Sequence, residues 1–263
     1  MTNRREPLGW WDRRRLRRAH AVIAPSLWPA AFSRLALLRG LDTDAKTRLK
    51  DLAALFLHDK TLELARDAEL DPVLGVEIGL TAALPILELG LDWYRGWHAV
   101  ILYPDEFVPE REVVDENGLV WVDDEPKSGE AWHQGPVILS LADAAAGRRR
   151  DGFNVVIHEM AHKLDMRNGS ANGHPPLHRG MRDADWAAAF STAYDDLCRR
   201  VDRDPDDPGL PLDPYASESP AELFAVATEA FFELPHHLAD AYPSVYAQLA
   251  AFYRQDPKQR LPR

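Results

Sequence analysis

The sequence predicts an α+β fold, mostly helical, with a small β-sheet beside one chemically loaded helix. Three features point that way. Apolar residues recur at spacings of three and four over much of the chain, while β-branched and aromatic runs cluster between residues 97 and 141. Directly after them, the apolar stretch Val155–Asp165 carries the motif His-Glu-x-x-His at His158, Glu159 and His162.

Taken in order, residues 1–40 are basic, Trp-rich and interrupted by Pro25 and Pro29, which predicts an irregular N-terminal arm. Arg13–Arg18 followed by Ala21–Phe32 imitates the charged and apolar parts of a secretion signal. The prolines break the apolar part and no small-residue cleavage site follows, so export is not expected. From Thr43 the pattern is helical, with Leu49, Leu52, Leu55 and Phe56 on one face, and residues 41–96 read as a helical lobe. Val73–Leu91 is long enough to test as a membrane span, but Glu77 and Glu88 lie inside it and Pro85 breaks it. A central acidic side chain costs about 2.5–3.5 kcal/mol in a bilayer, so a buried helix in a soluble protein is expected, without membrane contact. His58, alone on its helix, reads as structural.

Trp97–Tyr103 predicts a strand closed by Pro104. Residues 112–122 suggest a hairpin turning at Asn117-Gly118, and Val137–Leu141 a further strand. Arg148-Arg149-Arg150 with Gly152 reads as a solvated loop. The motif helix should run from about Asn154 to Arg167, stopped by Asn168-Gly169. His174 and His178 are also four apart, but Pro175 and Pro176 between them exclude a helical pair. Trp186–Val201 is helical, residues 202–214 with five Asp and four Pro form a loop, and Ser219-Pro220 opens a last site-bearing helix. Residues 97–256 should form one compact unit with residues 41–96, and residues 257–263 a polar tail. No internal repeat is apparent.

At 263 residues the chain can bury a sizeable core. Its 31 Lys and Arg against 42 Asp and Glu give a net charge of −11, which repels phosphate backbones and argues against direct nucleic-acid binding. The single cysteine, Cys198, excludes an internal disulfide framework and suits a reducing cytoplasm. It also cannot build a Cys-rich metal site, so any metal must be held by His and carboxylate.

On a helix, His158 and His162 stand one turn apart on the same face, where two imidazoles can bind one zinc ion. Glu159 beside them is the candidate general base. A third ligand is needed. The extended motif with a third histidine is excluded, because Asp165 and Asn168 occupy the decisive positions. The other solution takes a glutamate from a later helix, and Pro220–Phe232 offers Glu222 and Glu229, seven apart and near one face. Glu222 also stands three residues after Ser219, where a capping box would use it, so ligand and cap are about evenly matched, with Glu229 the alternative ligand. Asp165, seven after His158, could orient a ligand histidine or simply meet solvent, and Glu229 could serve the same orienting role.

His158–Gly169 resembles the Mlc titration factor A family of bacterial zinc peptidases. So do Leu84–Leu91, Ser128-Gly129, Trp132–Pro136 and Tyr215–Phe232 with Pro235, in the same order. The resemblance spans residues 45 to 255. It implies a gluzincin core similar to that of anthrax lethal factor, one zinc per chain on His158, His162 and Glu222, catalytic Glu159, and an active-site tyrosine at Tyr215.

The implied function is zinc-dependent peptide hydrolysis in the cytoplasm, aminopeptidase-like action included, linked to sugar uptake through a transcriptional repressor. Tyr215 could donate to the developing oxyanion, or merely pack its loop. The strand Val137–Leu141 is placed to pair with an extended peptide. The rival is a regulatory protein that sequesters a repressor such as Mlc, with peptidase activity secondary or absent. A purely structural zinc is disfavoured, because such sites are usually closed by four protein ligands.

Overall fold

The computed structural model describes residues 10–106, 111–114, 120–123, 128–132 and 135–263. Its elements run α1 (Trp10–Ala21), α2 (Leu27–Arg34), α3 (Thr43–Asp59), β1 (Thr61–Leu64), α4 (Pro72–Ala83), β2 (Ala99–Tyr103), β3 (Arg111–Val114), β4 (Val120–Asp123), β5 (Gly129–Ala131) and β6 (Val137–Ser140). Then follow α5 (Leu141–Ala146), α6 (Val155–Asp165), α7 (Asp183–Val201), α8 (Pro220–Glu233), α9 (Pro235–Ala241) and α10 (Pro243–Tyr253). The fold is α+β, as the sequence predicts.

The main sheet has the order β1-β2-β6-β5, with β1, β2 and β6 parallel and β5 antiparallel to β6. β3 and β4 pair antiparallel as a separate ribbon; the expected turn at Asn117-Gly118 lies outside the described residues. β6 is buried along its whole length between two neighbours, so it is no edge. β5 terminates the described sheet instead. Neither β1 nor β5 is expected from sequence. Thr61–Leu64 is a mostly exposed strand without an apolar run, and Gly129–Ala131 is too short and weak a β-former to stand out.

Two expectations are corrected. Residues 10–34 are not irregular: α1 packs on α3 and α2 on α4, burying Ala19, Trp28 and Ala31. Arg13, Arg14, Arg17 and Arg18 lie on exposed positions while the small apolar face docks, and Pro29 falls in the first turn of α2, where a missing N–H costs nothing. Residues 257–263 are not a free polar tail either. Leu261 is buried, Arg260 Nη1 donates to Arg39 O at 3.0 Å, and Pro262 O accepts from Arg150 Nη2 at 2.8 Å.

The arginine run therefore does more than solvate a loop. Arg148 Nε donates to Glu77 Oε2 at 2.7 Å, neutralising a carboxylate buried on α4. Such a charge is tolerable in an apolar helix only when paired. His178 donates no ligand to a second site: its Nε2 lies 2.8 Å from Phe252 O, and its ring stacks on Phe252.

α6 is positioned from all sides. The Asn154 side chain caps it, accepting from Ile157 N at 3.1 Å, and Val155, Val156, Ile157, Met160, Ala161 and Leu164 are buried. β5 and β6 pack on one flank and α8 on another. Behind α8, Phe224 meets Trp186, Phe190 and Phe252 in a cluster of aromatic rings.

Candidate metal centre

His158 and His162 project from one face of α6 toward α8, as the four-residue spacing requires. Their Nε2 atoms lie 3.1 Å apart. Glu222, on the first turn of α8, brings Oε2 to 3.0 Å from His158 Nε2 and 3.3 Å from His162 Nε2. Ser219 Oγ accepts from Glu222 N at 3.2 Å, so serine does cap α8, but the Glu222 carboxylate points to the histidines rather than back to the cap. Among the described residues, these three form the one cluster with metal-binding geometry.

The donor set fits a metal ion. Ligands 2.0–2.1 Å from a tetrahedral zinc stand about 3.3 Å from one another, close to the three separations here. Glu229 supplies a second argument. Its Oε1 lies 2.8 Å from His158 Nδ1. An ionised carboxylate only accepts, so a proton sits on Nδ1, and Nε2 is the nitrogen turned to the cluster, free to bind a metal once it gives up any proton of its own. Two imidazole lone pairs and a carboxylate so close together call for a cation between them.

Charge and burial agree. Burial alone would discourage charge on His158, yet the hydrogen bonds to Glu222 and Glu229 outweigh it and hold its pKa well above the ordinary value. For Glu222 burial again opposes ionisation, and the two histidines overturn it, pulling the carboxyl far below the usual range. Glu229 goes the other way, its pKa raised by complete burial despite His158.

Glu159 stands apart from this network. It is buried, and burial pushes its carboxyl up to about 7. Among the described residues its Oε2, itself closed off from solvent, has no hydrogen-bond partner. Tyr215 lies in a short 3-10 turn, Pro214–Ser217, fixed by Asp213 Oδ1, which accepts from Tyr215 N at 2.9 Å. Its ring stands 6.0 Å from that of His158 and is 44% exposed, so the phenol faces the opening rather than the core.

These side chains line one cavity of about 850 Å³. Its walls include β5, the Asp151–Phe153 loop, Leu210–Asp213 and the α8 stripe Glu222, Val226 and Ala230. Ser128 O accepts from Ser140 N and Pro136 O from Trp132 N, which sets the register of the narrow pairs between β5 and β6. By alternation, the backbone groups of Gly129 and Ala131 point away from β6, toward the free edge.

All five residues singled out from sequence therefore surround this cavity. Glu229 meets His158 Nδ1, the outer place that the sequence allowed it beside that of alternative ligand. Two things were not legible there. Asp165 accepts from Asn172 N and Gly173 N, both at 2.7 Å, and so folds the loop after α6 rather than orienting a histidine. Val137–Leu141 cannot pair with a peptide at an edge, because β6 lies between β2 and β5 and β5 ends the described sheet.

The profile of the family described as glucose-regulated metallo-peptidase M90 matches residues 8–254. Mlc titration factor A of Salmonella arizonae is 41% identical over 89% of this chain and 93% of its own. The proteins of the same name from Cronobacter sakazakii and Escherichia coli O9:H4 are 39% and 38% identical, over 92% and 93% of this chain and 90% and 91% of theirs. With the ligand triad, the cavity and a likeness that runs nearly end to end, the chain belongs to the M90 family of glucose-regulated metallopeptidases.

Proposed function

We propose that the protein is a zinc-dependent peptidase whose metal is held by His158, His162 and Glu222. The observation that carries this reading is the triad itself: two imidazole nitrogens and one carboxylate at 3.0–3.3 Å, open to a cavity on the remaining side. Zinc bound there would lower the pKa of a water and polarise a scissile carbonyl.

The chain's own residues supply the rest. Glu159 takes the proton from the attacking water and returns it to the leaving amine. Its pKa near 7 suits both roles at neutral pH. The Tyr215 phenol donates a hydrogen bond to the oxyanion as the carbonyl becomes tetrahedral. Gly129 and Ala131 offer outward backbone groups to an extended peptide, which would add as a further strand. A cavity open to solvent admits a chain terminus, in keeping with aminopeptidase-like action. No helix among the described residues is long and apolar enough to cross a membrane, and a lone cysteine suits the cytoplasm.

The test is metal content and turnover of Glu159→Gln beside wild type. About one zinc per chain in both, with turnover of a peptide substrate down ~10²–10⁴-fold in the variant, is expected. Near wild-type turnover would remove Glu159 from the role, and a wild type that binds no zinc would overturn the reading.

A second reading rests on the relatives' name. Proteins called Mlc titration factor A match nine-tenths of this chain, and we propose that it too engages a transcriptional repressor of that kind. Titration of purified repressor against this protein, followed by calorimetry, should show saturable binding; no heat at micromolar concentrations would sink it.

A further inference from the structure

β5 crosses α6 at very close range, and the reason lies in one residue. A Cβ built on Gly129 would stand 2.5 Å from Glu159 Oε1, 2.8 Å from Glu159 Cγ and 2.7 Å from Val155 Cγ2. Gly129 is not among the glycines with positive φ, so its backbone is open to any L-residue. Glycine is required there by space alone. Three simultaneous contacts below 3 Å exceed what a packed interior absorbs without movement.

What would move is restricted. Val155 is buried in the first turn of α6, beside the Asn154 cap. β5 is held on one side by its pairing with β6. Its turn is held by Lys163, whose Nζ donates to Trp132 O and, at 2.9 Å, to Gly135 O. The Glu159 carboxylate, with Oε2 free of partners and a cavity beside it, is the softest of the neighbours.

We infer that Gly129 is a positioning residue: the absence of a side chain there sets where the Glu159 carboxylate stands. The inference rests on the reading of Glu159 as the proton-transferring base. It makes β5 more than a pairing edge, because the same residue whose backbone faces the peptide also fixes the group that handles the proton. A methyl at 129 swings the carboxylate off its line to the substrate while leaving the metal ligands in place.

The experiment uses the full-length, zinc-loaded protein with Gly129→Ala, Glu159→Asp and the double variant, on an internally quenched peptide that wild type cleaves. In Gly129→Ala zinc should be retained and kcat should fall about 100-fold, the scale of a misplacement near 1 Å, with KM little changed. Glu159→Asp draws the carboxylate back by one carbon and so relieves the nearest of the three contacts, the 2.5 Å one at Oε1. The double variant should therefore be much better than the product of the two single losses. Losses that simply multiply, or a Gly129→Ala kcat within about twofold of wild type, overturn the inference.

Thermal unfolding of the same set reads the contact without turnover. Glu159→Ala empties the space, so Gly129→Ala should lower Tm less in that background than in wild type; equal shifts overturn it. If Gly129→Ala alone does not fold, its recovery by Glu159→Ala supports the contact and failure to recover overturns it. A zinc-loaded wild type that cleaves no peptide defeats the peptidase reading, and with it the catalytic half of the inference, whereas the Tm comparison still judges the contact itself.

Discussion

Two buried polar clusters flank α6, and they are finished in different ways. On the far side from α8, two lysines sit about the Trp97 ring, Lys60 Nζ at 4.0 Å and Lys163 Nζ at 4.9 Å from its centroid. Each ammonium also meets two backbone carbonyls: Tyr94 O and Trp97 O for Lys60, Trp132 O and Gly135 O for Lys163. Both ammonium groups there meet acceptors and a ring face, and only the Trp97 Nε1 donor is left without a partner among the described residues. On the α8 side, acceptors crowd together. Nε2 of two histidines and Oε2 of Glu222 converge, and Glu159 Oε2 has no partner. The first cluster joins strands to helices. The second is incomplete as protein alone, and that incompleteness, more than burial or charge, marks it as the place for a ligand.

The sharpest way to break the comparison is to remove one member from each side. Glu222→Ala should weaken zinc binding by more than ~100-fold, beyond what loss of an outer partner costs, measured by competition with a chelating dye. Thermal stability of the metal-free protein should also fall at neutral pH, since a carboxyl held far below its usual range by two histidines stabilises the fold. Lys163→Met should spare the metal. It takes a donor from Gly135 O and leaves Trp132 O with Gly135 N alone, and at about 1–3 kcal/mol for an unpaired group it should lower stability in chemical denaturation while zinc affinity holds. If Lys163→Met instead cost zinc, the two clusters would not be separable.

Glu229→Gln sharpens the boundary of the metal side. It replaces the acceptor for His158 Nδ1 with a weaker one, and zinc affinity should fall ~10–100-fold with the three ligands still present. An unchanged affinity would make Glu229 a packing residue.

The smallest effect concerns pH. Burial lowers Lys60 to about 8 from 10.5, so its folded pKa lies below its unfolded one. Between pH 8 and 10.5 the unfolded chain then binds more protons, and the Lys60 contribution to stability should rise with pH and be lost again as pH falls through 8. Comparing wild type with Lys60→Met across that window isolates it. A difference that stays flat would mean that the carbonyls and the Trp97 face hold the ammonium charged.

Much of this was legible in the chain because it is local. His158 and His162 share a face since a helix repeats every 3.6 residues, Ser219-Pro220 starts α8 because the cap and the fixed φ suit a helix start, and the apolar run at 155–164 had to be buried. β2 and β6 announced themselves through Val, Ile and Leu. The fold class and the two histidines with Glu159 follow from those local rules. The site pairing of His158 with Glu222, across 64 residues, does not. Spacing left Glu222 balanced between ligand and cap, with Glu229 the alternative ligand, and the crossing of α8 over α6 sets Glu222 against the two Nε2 atoms and Glu229 against His158 Nδ1.

The same holds for what composition hid. α1 and α2 looked irregular because their apolar faces are narrow and become helical in earnest only against α3 and α4, and arginines 148 and 150 looked solvated because Glu77 and Pro262 are distant in sequence. A strand as short as β5 has no signature of its own; its role comes from lying at the sheet's end, on α6, beside Glu159. Sequence by itself determined the chemistry on offer, because residue type and helical spacing are properties of a short stretch. Tertiary structure alone decided which carboxylate meets the two Nε2 atoms, which strand ends the described sheet and which glycine must stay bare, because each depends on close contact between segments whose separation along the chain carries no information about their distance in space.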